Sequence, residues 1–211
     1  MDIEYKGANC ISISVKKSII FTDPKLSGLG LKDQGMSATV QLLTQPQFEA
    51  PHSEDTIVIA GPGEYEVQNI SIRGVAARAH MGADEKARSA TMYAIEAADI
   101  TVVITGHVFP SLNEEQLEAL GVADVLVVPV GGNGYTLDAT GAVDLIRKID
   151  PKIVIPTHYA DKATNYEVPQ AEFEQFTKEL GATVEEVTGK LKLKAGVLNE
   201  TLTVYRLNRV A

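Results

Sequence analysis

Residues 39–50 decide how this chain is interpreted, and they run Thr39-Val-Gln-Leu-Leu-Thr-Gln45-Pro-Gln47-Phe-Glu49-Ala50. The apolar residues at the start predict a short strand, and Pro46 with its polar neighbours predicts a loop after it. The loop carries polar side chains at positions 45, 47 and 49. The sequence therefore predicts an apolar strand that runs into a polar loop at this point.

The segments around this stretch predict strands in the first half of the chain and alternating strands and helices in the second half. Helices are predicted after Asn113, with Gln116 completing a capping box, after Asp138, and from Pro169 to Gly181. Strands are predicted at residues 3–5, 10–15, 18–22, 39–43, 56–60, 64–67, 69–75, 91–96, 100–105, 124–130, 152–156, 183–187, 191–193 and 201–207. This order indicates two packed sheets with helices outside them.

Length and composition favour one soluble domain over residues 1–211. The formal charge of −9 argues against nucleic acid and anionic membranes as partners. The single cysteine, Cys10, excludes an internal disulfide and suits a reducing compartment. The first residues carry no signal-peptide pattern, and no apolar run reaches the roughly 18 residues of a membrane span. We therefore expect a cytoplasmic protein.

Six further segments carry a resemblance that covers nearly the whole chain. They are Tyr5-Lys-Gly7-Ala8, Phe21-Thr-Asp23-Pro24, Gly61-Pro-Gly-Glu-Tyr-Glu-Val67, Leu112-Asn-Glu-Glu-Gln-Leu117, Val128-Pro-Val-Gly-Gly132 with Gly134-Tyr-Thr-Leu-Asp138, and Pro151-Lys-Ile-Val-Ile-Pro-Thr-His158-Tyr159. Together, and in this order, they resemble the metallo-β-lactamase fold superfamily, in particular the metal-dependent hydrolases that include ascorbate-phosphate lactonase-like proteins. The resemblance implies an α/β (α+β) fold, a four-layer αββα sandwich.

The resemblance also implies a metal site from which this sequence departs. Such hydrolases hold two divalent metals about 3.5–4 Å apart, which activate a water molecule. At the positions of the family's H-x-H-x-D-H motif this chain has Gln45, Gln47, Glu49 and Ala50, and Ala8 replaces a further histidine. Amide and methyl side chains are poor substitutes for imidazole ligands. A normal binuclear centre is therefore not expected.

The remaining candidate ligands are few. His158 keeps its expected setting, His107 falls where the family has its bridging aspartate, and His80 lies near another ligand position. With Glu49, these residues could form a residual site for one zinc, manganese or iron ion. They could equally be polar residues left in an inherited cleft. Asp23, before Pro24, is either a ligand-orienting residue or a turn residue.

Two functions from different classes follow from these residues. The first is a non-catalytic binding or interaction module, a pseudoenzyme without a cofactor, whose partner is a small molecule or a protein. The second is a mononuclear metal-dependent hydrolase of a lactone or phosphate ester, with His107 and Asp23 as catalytic candidates. Lys86 and Arg88 could contact an anionic ligand or be solvated charges. A homo-oligomer is compatible with the resemblance, because family members often self-associate.

Overall fold

The computed structural model describes residues 1–80, 89–198 and 200–210. Lys86, Arg88 and most of the predicted loop at residues 79–89 lie outside these ranges. The strands are β1 Asp2–Gly7, β2 Cys10–Val15, β3 Ser18–Thr22, β4 Val40–Leu42, β5 Ile57–Ile59, β6 Gly63–Val67, β7 Ile70–Arg78, β8 Ser89–Ala97, β9 Ile100–Ile104, β10 Val125–Pro129, β11 Ile153–Thr157, β12 Thr183–Val187, β13 Leu191–Lys192 and β14 Thr203–Leu207. The α-helices are α1 Glu114–Leu120, α2 Ala139–Ile149 and α3 Phe173–Leu180, and two short 3-10 helices span Ser27–Leu29 and Pro46–Phe48.

The strands form two sheets, as the sequence predicts. One has six strands in the order β13-β1-β2-β3-β4-β5, and the other has eight in the order β12-β14-β11-β10-β9-β8-β7-β6. Strands β3, β4 and β5 are parallel, as are β9, β10, β11 and β14. The predicted fold class, a mixed α/β sandwich of the metallo-β-lactamase type, is confirmed.

Alternation along the first strands explains how the six-stranded sheet buries both faces. Ile11 and Ile13 point into the main core between the sheets. Cys10 and Phe21 point to the other face and pack with Leu26 in a second, smaller cluster. Side chains of a strand alternate between faces, so two apolar sets on one hairpin require a cover on each side. The cover on the outer face is the segment around the first 3-10 helix.

The three α-helices pack on the side of the eight-stranded sheet. Helix α1 lies against β7 and β8, and α2 lies against β10 and α3. The predicted caps are confirmed: Asn113 and Gln116 form a capping box, and the Asp138 side chain accepts a hydrogen bond from the Gly141 backbone at 2.8 Å. In the described residues, no helix is long and apolar enough to cross a membrane.

The predicted start of the third helix at Pro169 is wrong. Helix α3 begins at Phe173, with Glu172 as its N-cap. The preceding backbone is held by other parts of the chain: Ala171 N–H donates to the Gly131 carbonyl at 2.8 Å, and the Ala171 carbonyl accepts from Ala160 N–H at 2.9 Å. Tertiary hydrogen bonds therefore override the preference of proline for a helix first turn.

Candidate functional site

A cavity of about 200 Å³ lies where the carboxyl ends of strands from both sheets meet. Residues that follow β1, β3, β9 and β11 reach it, and loops complete its wall. The lining residues are Ala8, Asn9, Asp23, Lys25, Leu26, Gly28, Leu29, Gln47, Phe48, His107, Tyr135, His158, Tyr166, Glu167, Val168 and Gln170. The cavity therefore contains three of the predicted candidates, Asp23, His107 and His158.

The backbone is left-handed at each of these strand ends. Ala8 has φ 48°, Asp23 has φ 43° and His158 has φ 53°, and Gly106, just before His107, has φ 63°. Non-glycine residues rarely adopt this region, and such outliers concentrate at functional sites. The left-handed turns redirect the chain at the sheet edge and present the following side chains to the cavity.

His107 is held by a chain of polar groups behind it. Asn9 Nδ2 lies 3.0 Å from His107 Nδ1 and 3.4 Å from His107 Nε2 and donates to the ring, and Thr157 Oγ1 donates to Asn9 Oδ1 at 2.9 Å. His107 is buried, and burial, reinforced by the nearby His158 and His80, holds the pKa of its imidazole well below the ordinary value. His107 is therefore a neutral imidazole at pH 7.

His158 is held on the opposite side by Gln170. Gln170 Nε2 donates to the Val168 carbonyl at 2.9 Å, so Gln170 Oε1 is the atom that faces His158 Nδ1 at 3.1 Å. Nδ1 must then carry the proton, which leaves Nε2 as a hydrogen-bond acceptor. Burial lowers the pKa of His158 to about 4, so this imidazole is also neutral at pH 7.

Aromatic rings surround the two histidines. The ring of Phe48 stacks on His107 with centroids 5.0 Å apart, and the two imidazoles meet edge to face at 5.0 Å. The ring centroid of Tyr166 lies 4.7 Å from that of His158, and the ring centroid of Tyr135 lies 6.0 Å from those of both imidazoles. Much of the cavity wall is therefore aromatic.

Asp23 contributes a buried carboxyl group. Its Oδ1 accepts from Thr44 N–H at 2.8 Å and its Oδ2 accepts from Thr44 Oγ1 at 2.6 Å. Burial raises the pKa of Asp23 to about 7, although the bonds from Thr44 oppose that shift. Near neutral pH the group is a mixture of acid and carboxylate.

The loop after β4 brings Gln47 and Phe48 to the cavity wall, whereas Gln45 and Glu49 do not line it. Pro46 starts a 3-10 helix, in which Gln47 Nε2 donates to Gln45 Oε1 at 3.1 Å. The exposed Glu49 lies 3.3 Å from His52 and does not line the cavity. The structure therefore does not bring Glu49 together with His107 and His158, because the turn presents Phe48 to His107 instead.

His80 lies at the edge of the site. Its backbone N–H donates to the His107 carbonyl at 2.8 Å, and its ring is 6.3 Å from Phe109. It does not line the cavity. Over residues 1–80, 89–198 and 200–210, no group of three or more His, Cys, Asp and Glu side chains is arranged to hold a metal ion.

Comparison with known proteins identifies the family. The model of the beta-lactamase superfamily domain matches residues 2–158, which is most of the chain. The chain belongs to the metallo-β-lactamase superfamily. The resemblance stated from the sequence segments is thereby confirmed.

Relatives within the metallo-β-lactamase superfamily support the fold. A structure of a proposed Zn-dependent hydrolase of this superfamily from Thermotoga maritima has a TM-score of 0.75 at 24% identity, covering 98% of this chain and 100% of that one. The metallo hydrolase Igni18 from Ignicoccus hospitalis has a TM-score of 0.60 at 16% identity, covering 85% and 90%. A metal-dependent hydrolase of Thermoplasma acidophilum is 36% identical over 73 residues, and this match spans 33% of this chain but only 30% of that relative.

The metals typical of this metallo-β-lactamase superfamily do not fit the side chains present here. The cavity offers two imidazoles, and because a side-chain amide of Asn9 or Gln170 contacts Nδ1 of each, each ring has at most its other nitrogen available as a ligand. The buried carboxyl group of Asp23 uses both oxygens to accept from Thr44. A zinc site needs at least three deprotonated protein ligands that converge. The donor set is therefore incomplete for a binuclear centre.

Four residues of this site were not predicted from the sequence: Asn9, Phe48, Tyr166 and Gln170. Asn9 follows Gly7 and Ala8, and a polar residue after two small ones in a turn is a signal that could have found it. Phe48 occupies an off-motif position that only the 3-10 helix turns inward. Gln170 lies in a segment assigned to a helix start, so its role as a hydrogen-bond partner was hidden.

Proposed function

We propose that this chain is a non-catalytic member of the metallo-β-lactamase superfamily that binds a small molecule in the cavity. The observation that carries the proposal is the state of the two imidazoles. His107 and His158 are neutral, each is oriented by a side-chain amide, and no carboxylate of the described residues bonds to either ring.

The affinity of a histidine for a metal depends on the hydrogen bond that its second ring nitrogen makes. Metal-bound histidines generally donate their second ring N–H to a carboxylate, carbonyl or water, which raises their basicity. His107 instead accepts from Asn9 as placed, and that contact lowers its basicity rather than raising it. The partners of His107 therefore support binding without metal-activated hydrolysis.

One observation favours a second function, a mononuclear metal-dependent hydrolase of a lactone or phosphate ester. The ring centroids of His107 and His158 are 5.0 Å apart, close enough for both to bind one zinc, manganese or iron ion after a local rearrangement. Such an ion would need a further ligand, for which Glu49 would have to leave His52.

Metal content distinguishes the two functions. Protein purified without chelator, then incubated with zinc, manganese or iron and desalted, is measured by elemental mass spectrometry. His158→Ala is compared with His52→Ala, which removes an exposed imidazole of the same chemistry. We expect less than about 0.1 metal per chain in all three proteins. A value near one metal per chain that is lost only in His158→Ala would contradict the proposal and support the hydrolase.

A further inference from the structure

We propose that the ligand of this cavity is a small neutral aromatic molecule with a hydrogen-bond donor, for which phenol is the simplest example. This inference rests on the proposed binding function and adds the chemical class of the ligand. Size, ring content, charge and hydrogen-bonding capacity of the cavity each support it.

Size limits the ligand to about one ring. The cavity measures about 200 Å³. An apolar cavity of about 150 Å³ in another protein holds benzene. A ring with one or two small substituents therefore fits, whereas a nucleotide does not.

The wall favours an aromatic ligand because it is built from ring faces and edges. Phe48, Tyr135 and Tyr166 surround His107 and His158 at centroid distances of 4.7 to 6.0 Å. These distances lie in the range over which aromatic pairs attract each other in stacked or edge-to-face geometry. A further ring would extend the same cluster.

Charge favours a neutral ligand. Among the described residues of the wall, the charged side chains are Lys25 and Glu167, both exposed and opposite in sign, and the buried Asp23, whose oxygens accept from Thr44. A charged ligand inside the cavity would lose its hydration without gaining an unengaged buried counter-ion. Carboxylate and ammonium ligands are therefore disfavoured.

Hydrogen bonding favours a ligand that carries a donor. His158 Nδ1–H donates a hydrogen bond to Gln170 Oε1, which leaves Nε2 with a lone pair, and none of the hydrogen bonds among the described residues reaches Nε2. A ligand hydroxyl could donate to Nε2 while its ring contacts Tyr166 and Tyr135.

Four probes with the same ring separate these contributions: phenol, toluene, benzoate and benzylammonium. Binding to the whole chain at pH 7.5 is measured by titration followed by NMR. We expect phenol to bind, toluene to bind roughly three- to tenfold more weakly because it lacks the donor, and the two ions to show no saturable binding. Benzoate or benzylammonium binding as tightly as phenol would overturn the inference.

Substitutions at His158 and His52 test whether phenol binds at the His158 ring. His158→Phe keeps a ring but removes the acceptor, so phenol should lose its preference over toluene, while His52→Phe should leave the preference unchanged. Because His158 is left-handed and buried, the variant could fail to fold, and a second readout uses the unmodified protein. The ¹⁵N shift of His158 Nε2 should move with phenol and not with toluene, and an unchanged shift in saturating phenol would contradict the assignment.

The result also separates this inference from the proposed function. A chain that holds no metal and binds none of the four probes would overturn the ligand class alone. A chain that binds phenol only after loading one metal per chain would overturn the proposed function as well.

Discussion

At the scale of single residues, burial moves the pKa values of the cavity groups in opposite directions. The pKa of Asp23 is raised to about 7, and the pKa of His158 is lowered to about 4. The raised pKa contributes stability that is full below about 3.8 and is lost as the pH rises through 7. The lowered pKa contributes stability that is present above 6.5 and is lost as the pH falls through 4. Between these limits the two contributions oppose each other.

Replacing Asp23 with asparagine should expose this opposition. The variant retains an acceptor for Thr44 and removes the titration, so relative to the unmodified protein its unfolding free energy should rise by roughly 1 kcal/mol for each pH unit between about 4 and 7. Urea unfolding at a series of pH values measures the difference. Asp99→Asn, an exposed aspartate, serves as the control. Curves for Asp23→Asn and the unmodified protein that run parallel would show that Asp23 does not titrate in this range.

The residues of the cavity show how far sequence can predict a site. His107, His158 and Asp23 were predicted because they lie in segments that resemble the family's site positions, and the structure places all three at the cavity. The placement of Glu49 beside His52 was not, because it depends on the turn that Pro46 starts. A shift of one position in a turn changes which side chain faces inward. The alternation of apolar and polar residues in the sequence does not predict such a shift.

At the scale of elements, one buried amide fixes the loop after β4. Gln41 Nε2 donates to the Ala50 carbonyl at 3.1 Å, and Gln41 Oε1 accepts from the Ala50 N–H at 3.1 Å. Gln41 has no exposed surface. The amide thus joins both ends of the loop, and with them the position of Phe48 against His107.

Replacing Gln41 with leucine should remove both hydrogen bonds to Ala50 and destabilise the protein. Two buried backbone groups of Ala50 would lose their partners, at a cost of about 1–3 kcal/mol each. Gln175→Leu, at an exposed position of α3, should change stability by no more than about 0.5 kcal/mol. Chemical denaturation measures both. Equal stability of Gln41→Leu and Gln175→Leu would mean that water satisfies Ala50 when the amide is gone.

The elements themselves were largely predictable. Buried strands such as Val125–Pro129 are continuous apolar runs, and the caps at Asn113 and Asp138 follow local rules. The start of α3 was not predictable, because its position depends on hydrogen bonds to Gly131 and Ala160 that no local pattern contains.

At the scale of the whole molecule, a buried tyrosine connects the two sheets. Tyr93 of β8 directs its hydroxyl to the Leu43 carbonyl at 2.8 Å and the Ile59 carbonyl at 3.1 Å, both in the six-stranded half. The Ile59 carbonyl also accepts from the Leu43 N–H. The Leu43 carbonyl therefore depends more than the Ile59 carbonyl on the tyrosine hydroxyl as its hydrogen-bond donor. The contact fixes the end of β4, just before the cavity loop.

Replacing Tyr93 with phenylalanine should therefore destabilise the protein by about 1–3 kcal/mol, because it leaves a buried carbonyl without a donor. Tyr65→Phe is the matched control: its hydroxyl contacts the Gly61 carbonyl at 3.2 Å near the surface, and the loss should be smaller. Thermal unfolding of both variants measures this. A larger loss in Tyr65→Phe would contradict the role of Tyr93.

The contacts that close the cavity also set the order in which the chain can fold. His158 N–H donates to the Ala8 carbonyl at 2.9 Å, and Thr157 bonds to Asn9 across 148 positions of sequence. Contacts between such distant segments form slowly. The chain must lose the conformational entropy of the long intervening loop before the contacts can stabilise it. During synthesis, the first hairpin must wait for β11 to emerge before its turn has a partner. Until then Asn9 lacks the hydrogen-bond partner that it has in the folded protein.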